Sequence, residues 1–145
     1  MEKISQQELS LILKDHKSWL DKQPDGKRAL LSNKDLSKLN FKYAVLYKAE
    51  LENSNLTEAN LQYCDLRYCN FKKANLLKAD LSFSDLTNTD LTEANLTNAT
   101  LINCVLKQAF LIKANLNNAD LRGANFSDTD LTDAKLNGTS ICGIL

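Results

Sequence analysis

The sequence predicts a solenoid wound from five-residue units and entered through one N-terminal helix. Three observations carry this. From position 31 to position 141 every fifth residue is Leu, Phe or Ile, 23 in succession. Two residues before each of these, from Ala44 to Thr139, all 20 positions hold Ala, Cys, Thr or Ser. Residues 1 to 28 follow neither rule and carry a helical pattern instead.

The helix comes first in the chain. Ser5-Gln6-Gln7-Glu8 reads as a capping box, with Ile4 and Leu9 as its hydrophobic staple. Leu9, Ile12, Leu13, His16 and Leu20 then share one helical face, with Trp19 beside it. Pro24-Asp25-Gly26 ends the helix and turns the chain. The first coil of a solenoid exposes apolar core unless something covers it. Residues 1–28 are therefore expected to cap a repeat region spanning 29–145, the two forming one folded unit.

The repeat excludes the ordinary elements. Five residues advance a helix by roughly 140° net, so the large residues would scatter around it. A strand alternates faces, so a spacing of five puts successive large residues on opposite sides. All 23 can share one interior only if the chain turns a corner in every unit. The small second position fits a tightly wound coil with no room for two bulky side chains per unit. The residue between the two is mostly Asn or Asp, as in Asn55, Asn60, Asp65 and Asn70. Short polar side chains bond to nearby backbone at turns, which suits a repeated corner. Lys34 and Leu39 break the small-residue rule, so the first coil is expected to be irregular where the helix docks.

Columns twenty residues apart suggest how units make a coil. Asn55, Asn75, Asn95 and Asn115 form one, and Tyr43, Tyr63 and Phe83 another. Like residues stack in ladders between stacked strands, so four units per coil is the natural expectation. Units such as Ala59-Asn60-Leu61, Ala79-Asp80-Leu81, Ala119-Asp120-Leu121 and Ala124-Asn125-Phe126 resemble the A(D/N)LXX signature of the pentapeptide repeat family. The resemblance covers residues 29 to 143. It implies a mainly β fold: a right-handed quadrilateral parallel β-helix with four repeats per coil and just under six coils. The Leu-x-x-His-x-x-Trp-Leu stretch (Leu13, His16, Trp19, Leu20) also resembles leaders that precede the repeats in some members.

The formal net charge is zero and no apolar run reaches the ~18 residues of a membrane span. The N-terminus lacks a basic region followed by an apolar run, so no signal peptide is expected. Cys64, Cys69 and Cys104 occupy the small inward position, where Cys behaves as a buried hydrophobe. Cys64 and Cys104 would lie two coils apart, about 9.6 Å, beyond disulfide reach. Reduced thiols predict a cytoplasmic protein.

No catalytic constellation emerges, and no cofactor or metal site. The lone histidine, His16, sits on the apolar face of the helix and reads as a packing residue. No Cys/His spacing resembles a zinc site, and no glycine cluster forms a phosphate-binding loop. An enzyme would need a site the sequence does not reveal. The informative residues are those that break the outward polar pattern. Tyr43, Tyr47, Tyr63, Tyr68, Phe83, Ile102, Val105 and Phe110 make the candidate protein-binding surface, since exposed aromatic patches mark interaction sites. Cross-coil aromatic pairs can equally be structural. Val45, Leu77 and Ile112 break the pattern as well.

The chain ends Ser140-Ile141-Cys142-Gly143-Ile144-Leu145, which offers Ile141, Ile144 and Leu145 as the end through which two chains could pair C-terminus to C-terminus. From Ala79 onward eight acids face four bases, whereas Ala29–Lys78 carries eight bases and five acids. Some pentapeptide repeat proteins mimic DNA and bind type II topoisomerases, a role that needs a strongly negative rod. Zero net charge argues against it, and the absence of a basic stripe argues against nucleic acid itself. The reading is a non-enzymatic interaction module for an unidentified protein partner. A topoisomerase-binding DNA mimic is the alternative, and the helix around Trp19 is a further possible docking element.

Overall fold

The computed structural model describes residues 1–143; Ile144 and Leu145 lie outside the described residues. Its elements are β1 (Glu2–Lys3), α1 (Gln6–Leu20) and β2 (Lys34–Asp35), with β1 and β2 parallel. From residue 30 on, the coil is built from single parallel bridges, each joining residue i to residue i+20. The series runs from Leu30↔Glu50 to Asp120↔Ser140. Four units therefore complete one coil, as the ladders predict. Regular strand is scarce because every unit turns before a second residue can join the ladder.

One unit shows how the corner forms. The N–H of Leu36 donates to the Asn55 carbonyl at 2.7 Å and the N–H of Asn55 donates to the Lys34 carbonyl at 2.9 Å, which stitches two coils together. The N–H of Ala59 then closes a turn onto the Leu56 carbonyl at 3.0 Å. Ahead of the central residue, the Asn or Asp oxygen accepts the N–H two residues on, as Asn55 does from Thr57 at 3.2 Å and Asp85 from Thr87 at 2.9 Å. These are the corner bonds expected of short polar side chains.

The second residue after each central one has φ between 55° and 72° in all 23 units. The left-handed region favours Gly, Asn and Asp. Asn33, Asn53, Asn98, Asp128 and Gly123 are among those that occupy this column. Gly123 and Gly138 also admit a close neighbour, because a Cβ there would lie 2.0 Å from Asn103 Oδ1 and 2.3 Å from Asn118 Oδ1.

The interior is the predicted one. The central residues Leu31 to Leu121 and their small partners Ala49 to Ala124 form one continuous core. Several of the small residues that are not Ala donate a bond to the preceding coil, whereas Ser54 Oγ turns back to the Leu51 carbonyl at 2.6 Å. Cys64 Sγ reaches the Phe41 carbonyl at 3.0 Å, Ser84 Oγ the Leu61 carbonyl at 2.6 Å and Thr89 Oγ1 the Leu66 carbonyl at 2.8 Å. Burial is the main cause that pushes the Cys64 and Cys104 thiols up to about 12, and it raises Cys69 too. The Asn column is a structural ladder: Asn95 Nδ2 donates to Asn75 Oδ1 at 3.0 Å, and Asn75 Nδ2 to Thr57 Oγ1 at 3.1 Å.

Helix α1 carries the expected capping box, with the N–H of Glu8 donating to Ser5 Oγ at 3.1 Å. Leu9 and His16 are fully buried, and Ile12 and Leu13 pack against the core. The cap also completes the backbone of the first coil. The Gln6 side chain makes two 2.9 Å bonds with the Asn40 backbone, taking its N–H and giving to its carbonyl. His16 Nδ1 accepts the N–H of Ala29 at 3.0 Å. The N–H of Ile4 donates to the Asp35 carbonyl at 3.0 Å. The irregularity at Lys34 and Leu39 falls where β1 and Gln6 dock. Gly26 approaches α1 so closely that a Cβ would sit 2.3 Å from the Trp19 nitrogen.

Candidate interaction surface

The register places Tyr43, Tyr63 and Phe83 above one another at the left-handed position, with φ of 66°, 56° and 63°. A bulky side chain is uncommon there. Tyr43 and Tyr63 stack with centroids 5.2 Å apart, and Tyr63 and Phe83 stack at 4.9 Å and nearly parallel, 4° between planes. Offset and edge-on ring pairs add about 0.5–1.5 kcal/mol beyond area burial. Because the rings lie face to face, their edges point outward. Tyr43, at the end of the stack nearest α1, is 67% exposed and Tyr63 in the middle is 44%.

On the adjoining face Tyr47 and Tyr68 meet edge to face at 5.5 Å. Cations flank both groups. Lys42 Nζ lies 5.3 Å from the Tyr43 ring and 5.7 Å from the Tyr63 ring, beside the stack. Lys48 and the Arg67 guanidinium each lie 5.4 Å from the Tyr47 ring. Arg67 also forks onto Asp65 at 2.8 and 2.7 Å. Burial works to raise the Asp65 carboxyl, but the Arg67 bonds and charge outweigh it and hold it below the usual carboxylate range.

The structure gathers the aromatic candidates unevenly. Tyr43, Tyr63 and Phe83 form one stack, with the Tyr47–Tyr68 pair next to it. Half-buried Ile102 and Val105 continue the neighbouring columns one coil further, where the Ile102 carbonyl accepts the N–H of Phe83 at 2.9 Å and Val105 bridges Asp85 and Asn125. Phe110 is exposed but stands in another column, bridging Asp90 and Asp130. It is not part of the aromatic face. At the other end of the coil, exposed Ile141 lines an apolar cavity of about 290 Å³ with Leu121, Phe126, Leu131, Leu136 and Thr139. The remaining end candidates, Ile144 and Leu145, lie outside the described residues.

Sequence reading missed one feature. Leu13, Lys17, Leu20 and Asp21 of the cap meet Tyr43 and Val45 around a cavity of about 310 Å³. Val45 was visible as a break in the Asn/Asp column, but only the docked helix shows what it faces.

The model of the family described as pentapeptide repeats matches in eight copies, over residues 27–57, 54–92, 89–128 and 99–138. The chain belongs to the pentapeptide repeat family. Pentapeptide repeat proteins form right-handed quadrilateral β-helices, and the match brings in no catalytic family. Among solved structures, Rfr23 from the cyanobacterium Cyanothece 51142 is 27% identical with a TM-score of 0.53, covering 94% of this chain and 98% of that one. QnrB1, a plasmid-mediated fluoroquinolone resistance protein, is 22% identical with a TM-score of 0.65, covering 82% of this chain and 65% of that one. HetL from Nostoc sp. strain PCC 7120, a protein involved in heterocyst differentiation regulation, is 31% identical with a TM-score of 0.41. That likeness covers 79% of this chain, which spans only 58% of HetL. A comparison with curated protein sequences finds no match. No helix among the described residues is long and apolar enough to cross a membrane.

Proposed function

We propose that this pentapeptide repeat protein is a non-enzymatic docking module that binds a protein partner through the Tyr43–Tyr63–Phe83 face. The observation that carries the reading is the exposed ring stack. Three aromatic residues occupy left-handed positions of one column that continues as Asn103, Gly123 and Gly143, and they do so on the outside of the coil. The stacked rings are held in register by the coil backbone, so docking onto them loses little conformational freedom. The Tyr47–Tyr68 pair widens the face, and Lys42 and Lys48 give it a basic rim suited to an acidic or polar partner surface. The raised, buried thiols of Cys64 and Cys104 fit a reducing compartment such as the cytoplasm.

The test is capture of partners by the purified protein, beside a Tyr63→Ser/Phe83→Ser variant whose fold is checked by circular dichroism. A partner held by wild type and lost by the variant supports the reading. A partner held equally by both moves the site elsewhere, with the helix around Trp19 the next surface to test.

The DNA-mimic reading draws on the fold likeness to QnrB1 and the acidic excess after residue 79. Against it, the net charge is zero and several acids are neutralised locally, Asp65 by Arg67 and Asp120 by Arg122. It predicts protection of gyrase supercoiling against a quinolone; no protection removes it. The apolar cavity at Leu136 and Ile141 supports a second proposal, that two copies pair through their last coils. Sedimentation of an Ile141→Asp variant as a monomer, beside a dimeric wild type, supports it, and a monomeric wild type at high concentration removes it.

A further inference from the structure

The ring stack ends in a slot. Tyr63 is sandwiched between Tyr43 and Phe83, whereas Tyr43 has a ring on one side only. The coil continues away from α1 through Tyr63 and Phe83, so the other face of Tyr43 looks toward the cap. There it lines the 310 Å³ cavity together with Leu13, Leu20 and Val45, with Lys17 and Asp21 at hand. Lys42 does not block it. Its ammonium is nearly equidistant from the Tyr43 and Tyr63 rings, at 5.3 and 5.7 Å, and so sits beside the pair.

We propose that this cavity is a binding slot for one aromatic side chain of a partner polypeptide, which enters as the fourth ring of the stack.

Four observations converge on this occupant. The ladder repeats at 4.9–5.2 Å, so a ring laid on Tyr43 at the same spacing falls inside the cavity. Leu13, Leu20 and Val45 supply apolar walls on the sides, which favours a ring over a charged group. The polar members answer each other, with Lys17 Nζ on Asp21 Oδ2 at 2.9 Å, so neither charge calls for a charged ligand. Lastly, two departures from the repeat meet here. Tyr43 occupies a left-handed position where Asn or Gly sits more easily, and Val45 occupies a corner position where Asn or Asp would bond the backbone. Both are largely exposed, so packing against the protein's own core does not account for them. A cavity of about 310 Å³ admits one ring and its linking atoms but not a whole helix.

This inference rests on the reading of the chain as a docking module, and its test is separate from partner capture. Uniformly labelled protein is titrated with N-acetyl-tyrosine amide and, in parallel, with N-acetyl-leucine amide, and backbone amide shifts are followed by NMR. The expected result is saturable movement of the Tyr43, Val45 and Leu20 resonances, with tyrosine amide binding about fivefold more tightly than leucine amide, the scale of one ring–ring contact. Tyr43→Leu keeps an apolar wall and should erase that fivefold preference. Phe110→Ser, exposed in a different column, should leave it intact. Equal binding of the two amides, a preference that survives Tyr43→Leu, or no movement of these resonances at the solubility limit would each overturn the proposal. Slot binding without partner capture would leave the slot standing and remove the docking reading; the reverse result would do the opposite.

Discussion

The two ends of the coil obey the same repeat and differ in their environments. Next to the cap, Leu31, Leu36, Phe41 and Leu46 are all essentially inaccessible. In the last coil the equivalent Leu136 and Ile141 are 43% and 53% exposed. The contrast extends to the backbone. At the capped end, Gln6 and His16 side chains and the N–H of Ile4 meet groups of the first coil that face away from the next coil and have no preceding coil to bond. At the far end, the N–H groups of Leu131 and Leu136 have no backbone partner among the described residues. The repeat therefore fixes the axis and the interior but not the closure of either end. Closure needs particular groups from outside the repeat, and the same capping helix supplies Leu13 and Leu20 to the wall of the Tyr43 slot.

The largest expected effect comes from replacing one leucine at each end. Leu9→Ala, which empties a fully buried site under the cap, should destabilise by about 2–5 kcal/mol. Leu136→Ala, already half in solvent, should stay below about 1 kcal/mol. Denaturant unfolding of both variants measures the difference, and equal losses would break the comparison.

Thiol chemistry separates the interior from the end more sharply still. Cys64, Cys69 and Cys104 are buried and their thiols raised, whereas Cys142 is exposed. A thiol reagent should modify Cys142 alone in the native protein and all four cysteines after denaturation. Modification of Cys104 in native protein would mean that the coil opens far more readily than its packing suggests.

The cap adds a pH dependence nearer neutrality through the one histidine of the chain. His16 accepts the N–H of Ala29 through Nδ1, so the neutral ring carries its proton on Nε2, which is buried near the Tyr47 backbone without a well-formed hydrogen bond among the described residues. Burial lowers its pKa, the Tyr47 backbone partly opposes this, and the Arg28 charge adds to the lowering. A histidine lowered in the folded state is protonated first in the unfolded chain. Stability therefore falls as pH drops below the ordinary histidine value of about 6.5 and levels off below the folded-state value. Protonation also turns Nδ1 into a donor facing another donor. His16→Asn, which keeps an acceptor for Ala29, should flatten this part of the pH profile in thermal melts. An unchanged profile would place the effect elsewhere.

A smaller effect tests the corner. Lys113 sits at φ of 58° in the left-handed column. Lys113→Asn should leave stability unchanged or raise it by a few tenths of a kcal/mol, because Asn accepts this conformation more readily. A loss above about 1 kcal/mol would show that the Lys113 side chain makes contacts that matter more than its backbone conformation.

Much of this was legible in the residues. The period of five gave the core, the small column gave the tight winding, and the Tyr43/Tyr63/Phe83 and Asn columns gave the register of twenty. The corner was half legible. The Asn and Asp residues before each central Leu were read as turn formers, but the Asn, Asp and Gly residues two places after it were not read as a left-handed column, although Asn53, Asn98, Asn103, Gly123 and Gly138 carried that signal. Lys, Tyr and Glu in the same column masked it. β1 was missed because two residues, Glu2 and Lys3, hold no periodicity. The slot was missed because Leu13, Leu20, Tyr43 and Val45 become neighbours only when α1 docks. Phe110 was grouped with the aromatic face by residue type, whereas its column places it at a different corner.

The central claim is that the cap locks the first coil through backbone edge bonds and so holds the ring stack in a fixed geometry. Hydrogen exchange by NMR tests it most directly. The amides of Ala29 and Asn40, held by His16 and Gln6, and of Tyr43, Tyr63 and Phe83, held by the following coil, should exchange only through global unfolding. Those of Asp133 and Gly138 in the last coil should exchange orders of magnitude faster. Exchange of Ala29 and Asn40 as rapid as that of Asp133 would contradict the account, because the cap would then rest on the coil without locking it.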